Sequence, residues 1–248
     1  MQNDILKVCI DQTIPKNEPL SYIAKPDTIK TLRSLQPELP ELKIALINPK
    51  KWTTGRTLKV SFLEGDPAVQ EKVKEIAKEW EDYANIKLDF GDDSNSEIRI
   101  TFRSGQGSWS TVGRDAVSRP LNIPTMNYGW LTPTTEDAEY RRVVLHEFGH
   151  ALGCIHEHQN PDADIQWNKQ KVYDYFMGPP NDWSTEDVDH NIFDRYSKTI
   201  TNYSNYDDDS IMIYNLPAQF TLNNQPVGRY NTELSEDDKT FIQMWYPF

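Results

Sequence analysis

One thirteen-residue stretch, HEFGHALGCIHEH, combines residue types and spacings that suit a catalytic zinc site. His146 and His150 are four residues apart, so in a helix both imidazoles project from one face and can reach one ion. Glu147 lies one step round the helix, where it can hold a water at the metal rather than bind the metal itself. Gly153 can end the helix in the left-handed conformation, so that His156 completes three nitrogen ligands and leaves one position open.

The alternative is that these are ordinary surface or core histidines. The short pattern H-E-x-x-H also occurs by chance. The extended pattern H-E-x-x-H-x-x-G-x-x-H fixes two further residues at set offsets, which makes a chance match far rarer. We therefore predict one catalytic Zn²⁺ bound by His146, His150 and His156, with Glu147 as the general base and later the general acid.

The composition is that of an acidic globular protein. The 248 residues suffice for one large domain or two lobes with an ample core. Mean hydropathy is low, at -0.71, but 7 Trp, 12 Tyr and 9 Phe supply apolar surface that disordered chains lack. The formal net charge of -12 argues against nucleic acid or anionic membranes as partners. We expect a monomer.

No segment of the sequence predicts insertion into a membrane. There is no run of 18 apolar residues, so no transmembrane helix is expected. The first residues, MQNDILKVCIDQ, lack the basic and apolar regions of a secretory signal. We nevertheless expect a secreted or exported protein, which would then use another route or be shown in a processed form.

The two cysteines, Cys9 and Cys154, are too few for a disulfide framework. A bridge between them is disfavoured because Cys154 lies beside the proposed metal site. We expect two thiols outside any disulfide. An alternative for Cys9 is that its thiolate caps the zinc in a latent form of the protein.

The N-terminal part of the chain shows little regular patterning. Residues 1–50 hold six of the sixteen prolines, and their apolar residues keep no sustained period. We expect an N-terminal extension or a pro-region there, with one short helix in TIKTLRSL. Residues 51–248 would form the catalytic domain, with an N-lobe over about 51–153 and a C-lobe over about 154–248.

The N-lobe shows the pattern of a mixed sheet with crossover helices. The runs LKVSFL, IKLDF, EIRITF and TMNYGWL read as strands. Asp66 and Pro67 have the character of an N-cap and a first helical residue. Apolar residues then recur at spacings of three and four from Val69 to Ala84, which predicts a long amphipathic helix. The strand–helix–strand order favours a mixed sheet.

Capping signals mark the remaining helices. Thr134 and Asp137 have the spacing of a capping box, so the zinc helix is predicted to begin there. Ser184 and Ser235 are each followed three residues later by Asp, which predicts two further short helices. The predicted class is α+β: an N-lobe with a twisted mixed sheet and two long helices, a mostly irregular C-lobe with a C-terminal helix, and an active-site cleft between them.

A second motif extends the pattern. The run SIMIY, which contains Met212, resembles the methionine turn of the metzincin clan of zinc endopeptidases. Within that clan, Glu157 after the third histidine resembles the astacins, since matrix metalloproteases usually have Ser there and serralysins Pro. The runs GSWSTVGR, HEHQNPDAD and YDDDSIM are similar to the astacin patterns GCWSxVGR, HExxRPDRD and YDxxSIM. The similarity extends from about residue 52 to the C-terminus.

The resemblance implies a zinc endopeptidase that acts on protein or peptide substrates. It also implies that Met212 lies beneath the metal, and that Tyr214 is an additional zinc ligand at rest and a donor to the oxyanion during catalysis. Three departures indicate a divergent member: Ser108 replaces a cysteine, Asn160 an arginine and Ile213 a histidine. The disulfides usual in animal astacins therefore cannot form as they do there.

Two alternatives stay open from the sequence. A substrate could add as a strand to an edge formed by residues 125–130, with Met126, Asn127 and Tyr128 contacting it, although core packing is the alternative for these side chains. The chain could also be a catalytically silent or latent zinc-binding module on the same scaffold. The presence of Glu147, which is not a ligand, favours the enzyme.

Overall fold

The computed structural model describes residues 6–9, 46–47, 50–179, 181–195, 201–202 and 206–248. The short helix predicted in TIKTLRSL lies outside these residues. Among the helices that are described, none has the length and apolar character needed to cross a bilayer.

Two sheets are described. The smaller one pairs β1 Leu46–Ile47 with β7 Thr201–Asn202. The larger one is a mixed sheet of five strands: β2 Thr57–Phe62, β3 Lys87–Phe90, β4 Ile98–Thr101, β5 Trp109–Ser110 and β6 Met126–Asn127. Its order is β3-β2-β4-β6-β5. The pairs β2–β3, β2–β4 and β4–β6 are parallel, whereas β5 runs antiparallel to β6 and forms one edge.

Helix α1 covers the segment between β2 and β3. It spans Pro67–Ala77, and the side chain of Asp66 accepts a hydrogen bond from the backbone N–H of Ala68, as its predicted N-cap role requires. The apolar stripe continues to Ala84, but the chain tightens into a 3₁₀ turn at Lys78–Asp82. Trp80, within this turn, donates its indole N–H to the carbonyl of Leu145 on the neighbouring helix. The predicted stripe is thus buried although the α-helix ends early.

Helix α2, Asp137–Leu152, packs against α1 and carries the first two histidines of the motif. Its N-cap is Glu136, so the start predicted at Thr134 is wrong by two residues; the threonine hydroxyls there close a turn, in which Thr135 Oγ1 accepts from the N–H of Thr132. Its end is as predicted. Gly153 has φ = 108°, and the N–H of Cys154 returns to the carbonyl of Gly149.

The C-lobe contains short helices joined by irregular chain. Helices α3 Lys169–Phe176, α4 Thr185–Val188 and α5 Glu236–Trp245 are accompanied by single turns at Glu157–Gln159, Asp189–Phe193 and Ala218–Phe220. Both capping boxes predicted from Ser184 and Ser235 are formed. The predicted α+β class, with a mixed sheet, two long helices and a C-terminal helix, is confirmed.

Two hydrophobic clusters fill the described part of the molecule. The larger one lies between the sheet, α1, α2 and α5, and it includes Met212. The second lies in the C-lobe around Phe176 and Phe220, and it includes Ile213 and Tyr214. The boundary between the two clusters therefore falls within the methionine turn, next to the histidines.

Candidate metal centre and active site

Three imidazoles converge where α2 ends. The Nε2 atom of His150 lies 3.1 Å from Nε2 of His146 and 3.1 Å from Nε2 of His156. All three side chains are buried. Burial, followed by the two neighbouring imidazoles, holds the pKa of His146 well below its usual range. Neutral imidazoles whose lone pairs face one point are the form that binds a metal ion.

Backbone carbonyls fix the orientation of two of these rings. Nδ1 of His146 lies 2.8 Å from the carbonyl oxygen of Ile211, and Nδ1 of His150 lies 2.8 Å from that of Cys154. A carbonyl only accepts, so each Nδ1 carries the proton and each Nε2 is left with its lone pair for a cation. This donor set fits Zn²⁺, which takes three histidine nitrogens in catalytic sites. The predicted ligands His146, His150 and His156 are thus brought together.

The thiol of Cys9 joins this cluster. Its Sγ and one nitrogen from each of the three histidines all lie within 4.8 Å of one another. The thiol also donates to Oε2 of Glu147 at 3.2 Å. Nitrogen and thiolate sulfur together are a donor set that zinc accepts. Of the two sequence interpretations of Cys9, the cap on the metal is the one that this position supports, and neither cysteine is in a disulfide.

Glu147 and Tyr214 flank the same point. Glu147 is fully buried, next to His146 in the chain. The Tyr214 ring centroid lies 4.3 Å from that of His156, and its hydroxyl donates to the carbonyl oxygen of Cys9. Both residues assigned to catalysis from the sequence therefore lie at the cluster, one on α2 and the other after the methionine turn.

Met212 packs against the helix through a glycine. A Cβ added at Gly149 would lie 2.3 Å from Sδ of Met212 and 3.3 Å from the ring of Trp80. Since real Cβ atoms do not approach so closely, glycine at position 149 lets the turn reach α2. The carbonyl of Met212 in turn accepts the N–H of Glu157 at 3.0 Å. This role of Gly149 was not predicted, although a glycine inside a predicted helix was the signal that could have found it.

Glu157 is held inside the protein by nearby donors. Its Oε1 accepts from Nδ2 of Asn160 at 2.7 Å and from the backbone N–H of Asp207 at 3.2 Å. Burial outweighs these hydrogen bonds and raises the pKa of Glu157 to about 8. Asn160, noted in the sequence as a departure from the astacin pattern, thus pairs with the residue that suggested the family.

The predicted substrate-binding edge is wrong. Strand β6 has β4 on one side and β5 on the other, so its backbone cannot receive another strand. Met126, Asn127 and Tyr128 are fully buried, and the Asn127 side chain is bonded to Thr101, Arg103 and Gly107. These residues therefore support the sheet, as the core-packing alternative had it. The edge strand beside the metal cluster is β5.

The N-terminal segment, residues 6–9, lies across the site. Cys9 forms a parallel β-bridge with Ser108, directly before β5. The N–H of Leu6 donates to the Tyr175 hydroxyl at 2.8 Å, and Arg142 Nη2 donates to the carbonyl of Lys7 at 3.4 Å. The segment therefore contacts both lobes and the sheet edge.

The fold and the site define a class. A mixed sheet over a long helix that ends at a glycine, three histidines whose Nε2 atoms converge, and a methionine turn packed beneath them are the features of a metzincin-type zinc protease scaffold. The chain belongs to the astacin family of peptidases, since the sequence model of that family, described as Astacin, matches residues 47–230. The resemblance to astacins seen in the sequence is confirmed.

Curated relatives agree with this assignment. The zinc metalloproteinase dpy-31 of Caenorhabditis elegans is 24% identical over 207 residues, which cover 80% of this chain and 33% of that protein. Meprin A subunit alpha of Rattus norvegicus is 29% identical over 155 residues, which cover 60% of this chain and 17% of that protein. The chain thus spans a third or less of the length of these two relatives.

Solved structures share the fold. Myroilysin superimposes with a TM-score of 0.79 at 48% sequence identity, over 82% of this chain and 98% of that one. High choriolytic enzyme 1, a hatching enzyme zinc-protease from the medaka fish Oryzias latipes, gives a TM-score of 0.53 at 19% identity, over 79% of this chain and 94% of that one. At that identity, the second match supports the fold alone.

Proposed function

We propose that this protein is a zinc-dependent endopeptidase that binds one catalytic ion through His146, His150 and His156. The observation that carries the proposal is the convergence of three buried Nε2 atoms, 3.1 Å apart in two pairs, beside the Glu147 carboxylate. When bound there, Zn²⁺ would polarise a peptide carbonyl and lower the pKa of a water molecule to about 7. The family implies the same metal.

Glu147 would move the proton. Its Oε2 already accepts from the Cys9 thiol, whose sulfur lies within 4.8 Å of a nitrogen of each of the three histidines. A water in the place of that thiol would donate to the same oxygen and would lose its proton to it on attacking the peptide carbon. Glu147 would then deliver the proton to the leaving amine. Because Glu147 is buried, solvent screens its charge little, and its electrostatic interaction with the transferred proton is stronger than it would be in water.

Tyr214 would bind the oxygen of the scissile carbonyl. Its hydroxyl now donates to a peptide carbonyl, that of Cys9, which stands where a substrate carbonyl could lie. The same O–H would donate to the oxyanion of the tetrahedral intermediate. The ring packs beside two neighbouring imidazoles, with centroid distances of 4.3 Å to His156 and 4.4 Å to His158. Met212 would support the ligands from below.

The substrate is expected to be an extended protein or peptide segment. Strand β5, Trp109–Ser110, supplies the edge to which such a segment could add by backbone hydrogen bonds. The bridge between Cys9 and Ser108 supports this, because a segment of the chain itself uses the start of that edge. Export and a monomeric state stay predictions from the sequence, as does the division into residues 1–50 and 51–248.

Metal analysis coupled to a proteolysis assay tests the proposal. Protein loaded with zinc should hold one ion per chain. Once the N-terminal segment is displaced, it should cleave unfolded casein, and a chelator should abolish the cleavage until zinc is returned. The protein could instead bind one zinc ion per chain and cleave no unfolded protein, even after the N-terminal segment is displaced. That result would refute the proposed endopeptidase activity and favour a catalytically silent zinc-binding module.

A specific observation favours a latent form of the enzyme. The Cys9 sulfur lies among the three histidine nitrogens and against Glu147, while Tyr214 is engaged by the Cys9 carbonyl. A thiolate there would be the fourth donor to zinc and would exclude both water and substrate. We therefore expect the full chain to be nearly inactive until the N-terminal segment moves.

Thiol labelling tests the latent form without relying on activity. With zinc bound, Cys9 should react slowly with an exposed-thiol reagent, and addition of a chelator should speed its labelling. The Cys9→Ser variant gives the background from Cys154, which is also buried. Equal labelling of Cys9 with and without zinc would exclude it as a ligand.

A further inference from the structure

We infer that Asp238 is a positioning residue for the zinc ligand His146, and that it acts through the backbone of the methionine turn. This inference rests on the proposed zinc site. Oδ2 of Asp238 accepts the N–H of Ile211 at 2.8 Å, and the carbonyl of Ile211 accepts from Nδ1 of His146 at 2.8 Å. Ile211 thus links the buried carboxylate of Asp238 to the imidazole of His146. Hydrogen bonds to a metal ligand from residues that do not touch the metal set the tautomer and orientation of the ligand ring.

The same carboxylate holds the turn at a second point. Oδ1 of Asp238 accepts from the Ser210 hydroxyl at 2.8 Å, and that hydroxyl oxygen accepts the N–H of Met212 at 3.0 Å. Oδ2 also accepts the N–H of Ser235, which is the capping-box bond predicted from the sequence. Asp238 therefore anchors three consecutive residues of the turn to the first turn of α5. The sequence pattern accounts only for its bond within α5.

The electrostatic environment of Asp238 raises the pKa of its carboxylate, so mild acid protonates it. Asp238 is 6% exposed, and burial raises its pKa to about 6 against the hydrogen bonds that favour its ionised form. The titratable groups that face it are Asp207, Glu157 and Cys154, whose negative forms would also disfavour its charge. At neutral pH the ionised carboxylate polarises the Ile211 peptide, which strengthens the bond from His146. Below pH 6 this effect is lost.

Zinc affinity of the full chain provides the test. We compare Asp238→Asn with Asp237→Asn, which removes one charge from the next residue, an exposed one, on the same helix. At pH 7.5, Asp238→Asn should weaken zinc binding, measured by competition with a chromogenic chelator, by about 10–100-fold. Asp237→Asn should stay within about twofold of the parent, as surface substitutions usually do.

The pH dependence separates positioning from general support of the fold. Protonation of the ligand histidines weakens zinc binding in both proteins, so it cancels in the ratio of the two dissociation constants. The ratio of Asp238→Asn to parent should fall toward one between pH 7.5 and pH 5, because the parent loses its own carboxylate charge. A ratio near one at pH 7.5, or one unchanged over this range, would overturn the inference.

A second variant covers the case in which Asp238→Asn does not fold. Ser210→Ala keeps the carboxylate and removes one of its two links to the turn, so zinc affinity should fall by about fivefold, the worth of one hydrogen bond. Unchanged affinity would count against the inference. Because these measurements do not use proteolysis, a protein that binds zinc as described but cleaves nothing would overturn the proposed function alone.

Discussion

The Cys9 sulfur lies 3.2 Å from Oε2 of Glu147, although the two residues are 138 positions apart in the sequence. A thiol from the start of the chain thereby contacts the carboxylate that should act as the general base. Displacing this thiol would therefore end its contact with Glu147 and its approach to the three histidine nitrogens at the same time.

Replacing Cys9 by Ala should activate the full chain. The variant loses the sulfur donor and its bond to Glu147, while the other contacts of the N-terminal segment remain. We expect the initial rate of casein cleavage to rise at least about tenfold. The N-terminal segment would lose more binding free energy than one hydrogen bond contributes, so it would leave the cleft more often. Cys154→Ala, which keeps the carbonyl that His150 contacts, is the matched control and should not activate. Equal rates for Cys9→Ala and the parent would refute latency through this residue.

Replacing Glu147 by Gln should remove activity and leave zinc in place. In the Cys9→Ala background, kcat should fall by about 10²–10⁴, the usual worth of a positioned general acid–base. Glu136→Gln changes an exposed glutamate at the start of the same helix and should cleave normally. Zinc content is measured in parallel. Cleavage by Glu147→Gln at the rate of Glu136→Gln would show that another group takes the proton.

Replacing Tyr214 by Phe removes one hydroxyl that has two expected roles. In the Cys9→Ala background, kcat should fall by about 10²–10³ with little change in KM, as for the loss of an oxyanion donor. In the otherwise native chain, labelling of Cys9 should become faster, because its carbonyl loses the donor. An unchanged kcat would remove Tyr214 from the mechanism, whatever its effect on the N-terminal segment.

Replacing Gly149 by Ala should destabilise the fold through Met212. The added Cβ would lie 2.3 Å from the Met212 sulfur, which predicts a loss of about 1–3 kcal/mol from overpacking. Combining it with Met212→Ala removes the clash, so the two single losses should not add. Gly91→Ala, with nothing within 4 Å of its new Cβ, is the control. Urea unfolding measures all four variants, and additive losses would contradict the predicted contact.

Acid should remove a contribution of Glu139 to stability. Burial raises its pKa, but hydrogen bonds from Arg142 and Tyr230 and the charge of Arg142 outweigh burial and hold the pKa at about 2. A lowered pKa stabilises the fold above the ordinary value of 4.5, and this stabilisation is lost as the pH falls from there toward 2. In metal-free protein, Glu139→Gln should therefore be less stable than Glu136→Gln at pH 6 and nearly equal to it near pH 2. A difference independent of pH would refute this.

Local sequence patterns were enough to predict the elements that carry the site. A helix places His146 and His150, four residues apart, on one face, and Gly153 predicts where that helix ends. Both predictions depend only on neighbours in the chain. The order of strands could not be predicted, since alternation in TMNYGWL is the same for a central strand as for an edge. The approach of Met212 to Gly149 and the second role of Asp238 likewise depend on segments far apart in the sequence.

The two hydrophobic clusters meet inside a single turn: Met212 is packed in the larger cluster, whereas Ile213 and Tyr214 are packed in that of the C-lobe. Any hinge motion that widened the cleft would have to pull this turn apart or carry part of it along. Since the Ile211 carbonyl holds His146 and the Met212 carbonyl holds the residue after His156, such a motion would strain the metal's ligands. Bound zinc would then oppose movement of the lobes, and its affinity should fall as the lobes separate.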